Sequence, residues 1–384
     1  MKRQAKSPLW RGVVEVINKK NLESVLKSGR KLRVKLGIDP TAADLHLGHA
    51  VLLKKLGQFQ KAGHQAVLII GDFTALIGDP SGRSETRSLL TQQQVKNNLK
   101  KYRPLIGKFI NLRKAEIYYN SRWFAKGLKI FFELASKNTV QQVLHRADFK
   151  KRLEAGGEIS LLEAFYPLLQ AYDSVAVRAD VEIGGTDQKF NLLMGRRVQG
   201  QFGLPGQHIL TLPIIVGTDG VKKMSKSYGN YIALDEKPAE MFGKIMSIPD
   251  SILAEYFELL TDIDPSPGLI VKNPRAAKLL LAKTIAGEIY GAAVGAKAKQ
   301  EFVRVFSQKG IPVNVPVLKP KSYNLKLINL LLAAGIASKS EARRLVQQGG
   351  VKINGEAQTD YNTRLSLKKG VLLQIGKRRF FKIN

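Results

Sequence analysis

Cysteine is absent from the 384 residues of the sequence. This excludes disulfide bonds, thiolate metal sites and cysteine nucleophiles together. Histidine is also scarce, with five residues in the chain, and offers little for a zinc site. We therefore expect no protein-bound metal.

Long apolar runs are missing as well. No segment reaches the roughly 18 apolar residues of a membrane-spanning helix. The first twenty residues carry positive charge but lack an apolar run of signal-peptide length. With 44% hydrophobic residues the chain can nevertheless fill the cores of two or three domains. The sequence predicts a soluble, cytoplasmic protein with no membrane partner.

Acidic residues are few compared with basic residues. There are 31 Asp and Glu against 62 Lys and Arg, a formal net charge of +31, which is far more than solubility requires. Such a surplus indicates a polyanionic partner. A membrane surface is the alternative, but the basic residues are spread over the whole chain and not concentrated on one amphipathic helix, which favours nucleic acid.

The pattern of the first 230 residues alternates between strands and helices. The run "LRVKLGI" reads as a strand, "LGHAVLLKKLGQFQKAG" as a helix and "QAVLIIGDF" as a buried strand. Capping-box spacing opens two further helices, at Thr91 with Gln94 and at Ser160 with Glu163. The first of these is predicted as one helix through "VKNNLKKYRPLIGKF". We expect an α/β domain over residues 1–230 with a largely parallel sheet.

Three further segments follow. Residues 231–306 contain helical patterns only and predict a small helical domain. Residues 307–322 bring three prolines together and predict a linker. Residues 323–384 are strongly basic and predict a separate module, with a hairpin at "VKINGEAQ" through Asn354 and Gly355.

A helix in that last module has one basic face. Ser338 and Glu341 cap "KSEARRLVQQ", on which Lys339, Arg343 and Gln347 share one side while Ala342, Leu345 and Val346 share the other. A merely solvated face is the plainer interpretation. Charges mixed with aromatics at "GKRRFFKI" favour an RNA-binding module, with Lys339, Arg343 and Arg344 as candidate contacts.

The stretch "DLHLGHAVLL" lies where a strand passes into a helix, so its free backbone N–H groups favour anions. His46 and His49 can point to one side of the first turn, and Gly48 lets a ring or phosphate approach the backbone. These features together fit a binding site for nucleotide phosphates. The alternatives are two polar residues at a helix start, or a zinc pair for which no third ligand is evident.

Two loops carry more candidates for charge recognition. "IGDPSGRSETR" is not a phosphate-binding P-loop, because no Lys-Ser or Lys-Thr pair follows its glycine. It is a good turn, in which Asp79 could hold an ammonium group and Arg83 and Arg87 could approach phosphates. "DGVKKMSKSYGN" carries Lys223 and Lys226 between glycines, on a loop with little to anchor it. Alone, it reads as a solvated surface loop.

The residue spacing of one otherwise apolar helix predicts a polar face. In "AFYPLLQAYDSV" the residues Tyr166, Gln170 and Asp173 fall on one side. A buried carboxylate costs several kcal/mol unless it is hydrogen-bonded, so Asp173 has an internal partner or faces a pocket. "GGTDQKFN" adds Asp187 and Gln188 after a strand, where ligand loops of α/β sheets usually lie.

"HLGH" followed far downstream by "KMSKS" resembles the two signatures of class I aminoacyl-tRNA synthetases. Together with "GIDPTAADLHLGH", "IGDPSGRSETR", "YPLLQAYDS" and "GGTDQKFNLL", in that order along the chain, the pattern is similar to bacterial-type tyrosyl-tRNA synthetases over nearly its whole length. The resemblance implies a Rossmann-like catalytic domain, a helical anticodon-binding domain and a C-terminal S-four-like α+β RNA-binding domain. It also implies a homodimer.

In that family, ATP activates tyrosine to tyrosyl-adenylate with release of pyrophosphate, and the tyrosyl group then passes to tRNA(Tyr). The resemblance implies ATP as a substrate, accompanied by Mg²⁺, and two sets of roles. The phosphate and nucleotide side would comprise His46, His49, Lys223, Lys226, Arg83 and Arg87, with Gly48, Asp187, Met224, Ser225 and Ser227 at the nucleotide. On the tyrosine side, Asp173 would accept the hydrogen bond of the phenol, while Asp79, Tyr166, Gln170 and Gln188 would hold the ammonium end.

The chain departs from the family pattern at two positions. Lys35 stands where better-known members carry a Tyr that is a second partner of the phenol, and Leu47 replaces an Ile of the first signature. Two rival functions remain. A tryptophanyl-tRNA synthetase would share fold and signatures, and a non-catalytic RNA-binding protein would have kept the scaffold alone.

Overall fold

The computed structural model describes residues 7–81, 89–307, 315–320, 322–376 and 379–384. The chain divides into two compact units, Met1–Gly295 and Ala296–Asn384. The larger unit is built around a six-stranded sheet. The smaller one contains a five-stranded and a two-stranded sheet.

Six strands form the sheet of the larger unit. They are β1 (Glu15–Ile17), β2 (Arg33–Ile38), β3 (Gln65–Ile70), β4 (Glu116–Tyr119), β5 (Val181–Gly185) and β6 (His208–Leu212). Their spatial order is β1-β6-β5-β2-β3-β4, and every pairing is parallel except that of β1 with β6. Order and direction confirm the predicted parallel α/β sheet. The carboxyl ends of β2, β3, β5 and β6 consequently lie along one edge.

Within the described ranges, fifteen helices precede the unit boundary and the next spans it. They are α1 (Lys19–Lys27), α2 (Leu47–Lys61), α3 (Thr74–Ile77), α4 (Gln92–Leu99), α5 (Tyr102–Ile106), α6 (Ser121–Phe124), α7 (Lys129–Lys137), α8 (Val140–Leu144), α9 (Ala147–Glu154), α10 (Leu161–Ala176), α11 (Lys189–Gln201), α12 (Pro238–Met246), α13 (Leu253–Leu260), α14 (Pro267–Lys272), α15 (Pro274–Tyr290) and α16 (Ala292–Ser307). Short 3-10 helices occupy Pro8–Trp10, Thr186–Gln188, Lys226–Tyr228 and Asp250–Ile252.

Hydrophobic burial explains why these elements assemble. The burial pattern of β3 shows one half-buried residue followed by five buried ones, as expected for a central strand covered on both faces. One core cluster joins β3 to Trp123, Phe149 and the apolar side of α10. The predicted capping boxes at Thr91 and Ser160 both form, each side-chain oxygen accepting a backbone N–H of the third helical residue.

One predicted helix is wrong in its extent. The segment that follows Thr91 forms two helices, α4 and α5, and not a single helix through "VKNNLKKYRPLIGKF". Pro104 has no N–H to donate to the carbonyl of Lys100, so an unbroken helix would lose a bond there. The sequence analysis also missed β1, a three-residue edge strand.

Residues 231–295 are helical, as the pattern predicted, but they belong to the same compact unit as the sheet. No helix among the described residues is long and apolar enough to cross a membrane.

The smaller unit begins within α16. Its five-stranded sheet has the order β10-β9-β12-β13-β7, formed by β7 (Val317–Leu318), β9 (Val351–Ile353), β10 (Glu356–Ala357), β12 (Leu372–Ile375) and β13 (Arg379–Ile383), while β8 (Asn324–Lys326) pairs with β11 (Arg364–Ser366). Two helices, α17 (Leu327–Ala333) and α18 (Lys339–Gln347), pack on its core. Within the predicted linker, Val317 and Leu318 pair in parallel with β13, so this part of the segment is ordered as a strand.

The predicted cap and hairpin of the smaller unit are both confirmed. Ser338 caps α18 by accepting the N–H of Glu341 at 3.1 Å. Asn354 and Gly355 have φ values of 48° and 90°, as a two-residue hairpin turn of the primed type requires. On α18, Ala342 and Val346 are fully buried, while Lys339, Arg343 and Arg344 are exposed.

The close approach of α2 to the loop after α5 supplies a test of the packing. A Cβ on Gly57 would collide with the backbone carbonyl oxygen of Phe109. We expect Gly57→Ala to destabilise the protein by about 1–3 kcal/mol in urea unfolding, because backbone cannot move aside cheaply.

The matched control is Gly243→Ala in α12, where an added Cβ meets nothing within 4 Å. There the lower entropy of the unfolded chain predicts a gain of about 0.5–1 kcal/mol. Equal effects of the two substitutions would contradict the packing of α2.

Candidate functional site

A cavity of about 350 Å³ opens at the carboxyl edge of the parallel strands. Its walls come from the ends of β2, β3 and β5, the start of α2, one face of α10 and the segment Lys223–Ser225. In open α/β sheets this is the edge at which ligands bind. The cavity therefore brings together segments that lie far apart in the sequence.

At one end, two histidines interlock at the start of α2. His46 is the N-cap residue, and its Nδ1 accepts the N–H of Gly48 at 3.1 Å. The backbone N–H of His46 in turn donates to Nδ1 of His49 at 3.2 Å. The ring centroids lie 4.2 Å apart. Since both Nδ1 atoms accept, each neutral ring keeps its proton on Nε2.

Burial also makes both rings neutral. It lowers the pKa of His46 to about 2, with a further contribution from His49, and the pKa of His49 to about 4. At neutral pH the pair therefore offers two Nε2–H donors and no positive charge. Positive charge at this end must come from lysines and from the helix N-terminus.

The lysine-rich loop supplies such a charge. Lys223, Met224 and Ser225 line the cavity, while Lys226 lies apart, with Nζ 2.6 Å from Oδ2 of Asp44. This hydrogen bond is the main cause of a raised pKa for Lys226 and a lowered pKa for Asp44. Ser227 is exposed and does not line the cavity.

The expectation that little anchors this loop is wrong. Asn230 is buried, and its side chain accepts the N–H of Ser225 at 2.9 Å and donates to Asp219 at 2.9 Å and to the carbonyl of Lys223 at 3.1 Å. Met224 is only 4% exposed, and its N–H donates to Ile215. The side-chain amide of Asn230 satisfies backbone groups of the loop, and a lysine-rich sequence pattern gives no indication of this.

At the opposite end lies the polar face of α10. Tyr166, Gln170 and Asp173 all line the cavity, as the spacing predicted. Oη of Tyr166 donates to Oδ2 of Asp39 at 2.9 Å. Oε1 of Gln170 accepts from Nδ2 of Asn191 at 2.8 Å.

Two loop residues complete this cluster. Nε2 of Gln188 donates to Oδ2 of Asp79 at 2.5 Å, and its Oε1 accepts from Asn191 at 3.1 Å. Arg146, which is 3% exposed, donates to Asn191 at 3.0 Å and to Oγ of Ser81 at 3.0 Å. Sequence reasoning gave no role to Asn191, the last residue of "GGTDQKFN", or to Arg146, which belongs to no motif; both act between candidate residues.

Asp173 has the internal partners that its burial demands. Its carboxylate accepts from Nε1 of Trp123 at 3.0 Å and from Nδ2 of Asn120 at 3.4 Å. Burial raises its pKa to about 7, although both donors and the Lys35 ammonium act to lower it. Asp173 is consequently a carboxylate whose charge is sensitive to its surroundings near neutral pH.

Asp187 also lines the cavity, beside Gly185, and burial raises its pKa as well. Lys35 does not line the cavity; its side chain is buried against Glu182, 2.8 Å away. Arg83 and Arg87 lie outside the described residues. Among the residues that are described, no group of three or more His, Asp or Glu side chains is placed to hold a metal ion.

Comparison with known proteins gives two family matches. Residues 27–307 match the family model described as tRNA synthetases class I (W and Y), and residues 325–370 match the S4 domain. The first match contains the whole cavity. The second lies within the smaller unit.

Relatives with an assigned function match over almost the full length. A tyrosine–tRNA ligase of Aquifex aeolicus is 49% identical over 97% of this chain and 96% of its own, and one of Thermotoga maritima is 48% identical over 98% and 96%. A solved C-terminally truncated mitochondrial tyrosyl-tRNA synthetase of Coccidioides posadasii has a TM-score of 0.64 and 24% identity, covering 78% of this chain and 92% of its own. It shares the fold. By its sequence, fold and cavity, the chain belongs to the class I aminoacyl-tRNA synthetases, in the tyrosyl-tRNA synthetase family.

Proposed function

We propose that the chain is a tyrosine–tRNA ligase, which activates L-tyrosine with ATP and transfers it to tRNA(Tyr). One observation carries the proposal: a single cavity joins a cluster able to hold an amino acid to a helix N-terminus and a lysine, Lys223, able to hold phosphates. ATP is a substrate of the class I synthetases, to which the chain belongs.

The amino-acid end divides into two parts by chemistry. Asp173 offers a buried carboxylate to the phenol O–H. Asp79 and the oxygens of Tyr166, Gln170 and Gln188 offer acceptors to an ammonium group. Hydrogen bonds already hold them: Asn191 donates to Gln170 and Gln188, Gln188 donates to Asp79, and Tyr166 donates to Asp39. A site built around a hydroxyl discriminates strongly against an analogue that lacks it, and the handling of tyrosine against phenylalanine in this enzyme family is the standard example.

The phosphate end works by positioning and charge. The tyrosine carboxylate attacks the α-phosphorus of ATP, the bond to the pyrophosphate oxygen breaks, and negative charge grows on the leaving pyrophosphate. Nε2–H of His46 and of His49 would donate to the phosphate oxygens, with Gly48 and Asp187 at the nucleoside. Lys223 would meet the departing group from the cavity wall. Neutral donors and fixed charges of this kind stabilise a transition state without a covalent intermediate.

Lys226 adds a step that depends on the loop. Its ammonium is bound to Asp44, two residues before His46, where the histidine signature begins. We infer that the incoming triphosphate, with more negative charge than a single carboxylate, draws Lys226 away from Asp44 as the reaction proceeds. Ser225, Ser227 and Met224 would follow the same loop onto the nucleotide, and Arg83 and Arg87 would assist at the pyrophosphate. We also infer that Mg²⁺ accompanies ATP, as it usually does with nucleotide phosphates.

The smaller unit would bind tRNA. It matches the S4 domain, and Lys339, Arg343 and Arg344 are exposed on α18. The net charge of +31 suits a polyanionic substrate, since phosphate contacts dominate nucleic-acid affinity. We further propose that the helices over 231–306 form the anticodon-binding part, joined by residues 307–322 to the RNA-binding domain over 323–384, with the catalytic part over 1–230.

A homodimer in the cytoplasm completes the proposal. Large apolar side chains are exposed between residues 128 and 162, among them Phe132 at 70%, Val140 at 72% and Leu161 at 83%. Exposed apolar side chains in such number indicate an interaction surface. Sedimentation equilibrium that gave the mass of one chain would rule out the dimer.

The proposed activity is tested by ATP–pyrophosphate exchange with purified protein. We expect exchange that depends on tyrosine and is not supported by phenylalanine or tryptophan. Exchange driven by tryptophan would make the chain a tryptophanyl-tRNA synthetase. RNA binding without exchange with any amino acid would leave only the non-catalytic alternative.

The role of Lys226 is tested by Lys226→Ala. We expect adenylate formation to slow about 100-fold or more, because a charge aimed at the transition state is lost, while the dissociation constant of tyrosine stays unchanged. The matched control is Lys222→Ala, whose ammonium lies 5.2 Å from the ring centre of Tyr228 and not in the cavity. An equal loss in tyrosine binding and in rate would refute the transition-state role.

The tRNA contacts are tested by the double variant Lys339→Ala with Arg344→Ala. Arg343 is left in place because its guanidinium packs 5.2 Å from the ring centre of Tyr361. We expect unchanged exchange, weaker tRNA binding, and a log–log salt dependence that is shallower by about 2, one for each lost phosphate contact. Gln347→Ala, an exposed neutral position on the same helix, serves as the control. Unaltered tRNA affinity in the double variant would count against this surface.

A further inference from the structure

Lys35 is a fully buried lysine directly behind the amino-acid end of the cavity. Its side chain is 1% exposed, and Nζ has three partners, Oε1 of Glu182 at 2.8 Å, Oγ of Ser174 at 2.7 Å and the backbone carbonyl of Gln170 at 3.1 Å. An ammonium group has three N–H donors. All three are therefore used inside the protein, and Lys35 has none left for a bound ligand.

Glu182 completes the arrangement from the neighbouring strand. Lys35 and Glu182 are direct partners in the register of β2 and β5. Oε2 of Glu182 accepts from Oγ of Ser174 at 3.1 Å and from Nε2 of Gln207. A buried ion pair is favourable only when its remaining hydrogen-bonding positions are filled, and here they are filled by named side chains.

The pair is attached to one turn of α10. Gln170 and Ser174 lie one turn apart, and Asp173 is part of that turn. Lys35 holds it through the Gln170 carbonyl and the Ser174 hydroxyl. Trp123 and Asn120 hold the Asp173 carboxylate. The direction in which Asp173 faces the cavity is thus set by Lys35 together with these two donors.

Lys35 also supplies positive charge. The titratable and charged groups around Asp173 are Lys35 on β2, Glu182 on β5, Asp39 after β2, Asp79 after α3 and Tyr166 on α10. Lys35 is the cation of this set. The Asp39 carboxylate raises the pKa of Asp173, and the Lys35 ammonium lowers it.

We propose that Lys35, paired with Glu182, is a positioning residue for recognition of the substrate hydroxyl: it fixes the turn of α10 that carries Asp173 and keeps that carboxylate charged and able to accept. The inference rests on the proposed function, because it takes tyrosine as the substrate. It assigns a role to the position at which the family resemblance implied a Tyr beside the phenol. Lys35 acts through Asp173 and not by its own contact with the substrate.

The sign of the pH effect follows from the burial of Asp173. Its pKa is raised to about 7, so the accepting carboxylate forms as pH rises through that value. Tyrosine binding should strengthen over the same range. Removal of the Lys35 charge takes away an influence that lowers this pKa. The rise in tyrosine affinity should then move to higher pH.

The test is the double variant Lys35→Met with Glu182→Gln. It removes the charge of Lys35 without leaving an unpaired buried carboxylate, and the introduced amide oxygen can still accept from Ser174 and Gln207. The single variant Lys35→Met is measured beside it, and circular dichroism with thermal unfolding confirms that each is folded. Tyrosine and phenylalanine binding are measured by calorimetry between pH values of about 5.5 and 8.5. This range is centred on the pKa of Asp173, which burial raises to about 7. KM and kcat in ATP–pyrophosphate exchange are measured on the same samples.

At pH 7 we expect KM for tyrosine to rise about fivefold, because a one-unit rise of the pKa of Asp173 from about 7 lowers its charged fraction from about one half to about one tenth. The kcat and the KM for ATP should change little, the preference for tyrosine over phenylalanine should fall, and the pH at which tyrosine binding rises should increase by about one unit. Arg33→Gln is the matched control. Arg33 lies two residues earlier on β2 and contacts Glu116 and the carbonyl of Val177, so its loss removes a cation from the same strand without removing a hydrogen bond to Gln170, Asp173 or Ser174.

A folded double variant whose pH profile and preference for tyrosine match the wild type would overturn the inference. Equal weakening of tyrosine and phenylalanine, with the pH of the rise unmoved, would overturn it too, since that is the result of a purely structural role. If the wild-type protein shows no tyrosine-dependent exchange, the proposed function fails instead, and the two failures are thereby distinguished.

Discussion

The burial of a polar helix face is the constraint on which the site depends. α10 packs into the core of the larger unit, yet it carries Tyr166, Gln170, Asp173 and Ser174 toward the sheet. A buried polar group costs free energy unless it finds a partner, and a buried charge costs more. The surrounding elements supply a hydrogen-bond partner for each side chain. Tyr166 bonds to Asp39, Gln170 to Asn191, Asp173 to Trp123 and Ser174 to Lys35. The result is a set of acceptors whose directions are fixed before a substrate arrives, which reduces the entropy lost on binding.

The end of the cavity at the start of α2 follows a different principle. His46 and His49 are held by backbone hydrogen bonds and kept neutral by burial, so they contribute direction rather than charge. The positive charge resides in lysine side chains, one of which is bound to Asp44. Permanent cations packed beside two neutral rings would repel one another without a ligand. The lysines stand instead on a loop that Asn230 holds at its base.

Much of the fold was predictable from local pattern. The parallel strands, α2, α10, the capping boxes and the hairpin at Asn354 all follow from periodicity and turn chemistry, which depend on neighbours in the sequence. The errors have local physical reasons as well. The helix predicted after Thr91 is divided into α4 and α5, because Pro104 lacks the N–H that an unbroken helix needs. The strands β1 and β7 are too short to show a periodic pattern. Strands of two or three residues form because an existing edge offers them hydrogen bonds.

For the site, the sequence alone indicates most of the residues that line the cavity. The two signatures, the polar side of α10 and the loop acids are written as motifs, and the cavity contains most of them. Which residues hold them in place is settled only in the folded chain. Arg146 and Trp123 belong to no motif, and Asn191 had no assigned role within its own. The anchoring of the lysine loop depends on one buried amide, and the pairing of Lys35 with Glu182 joins two strands that are far apart in the sequence. Partners of this kind are selected by distance in space and by the cost of leaving a buried polar group unsatisfied, and neither quantity exists until the chain has folded.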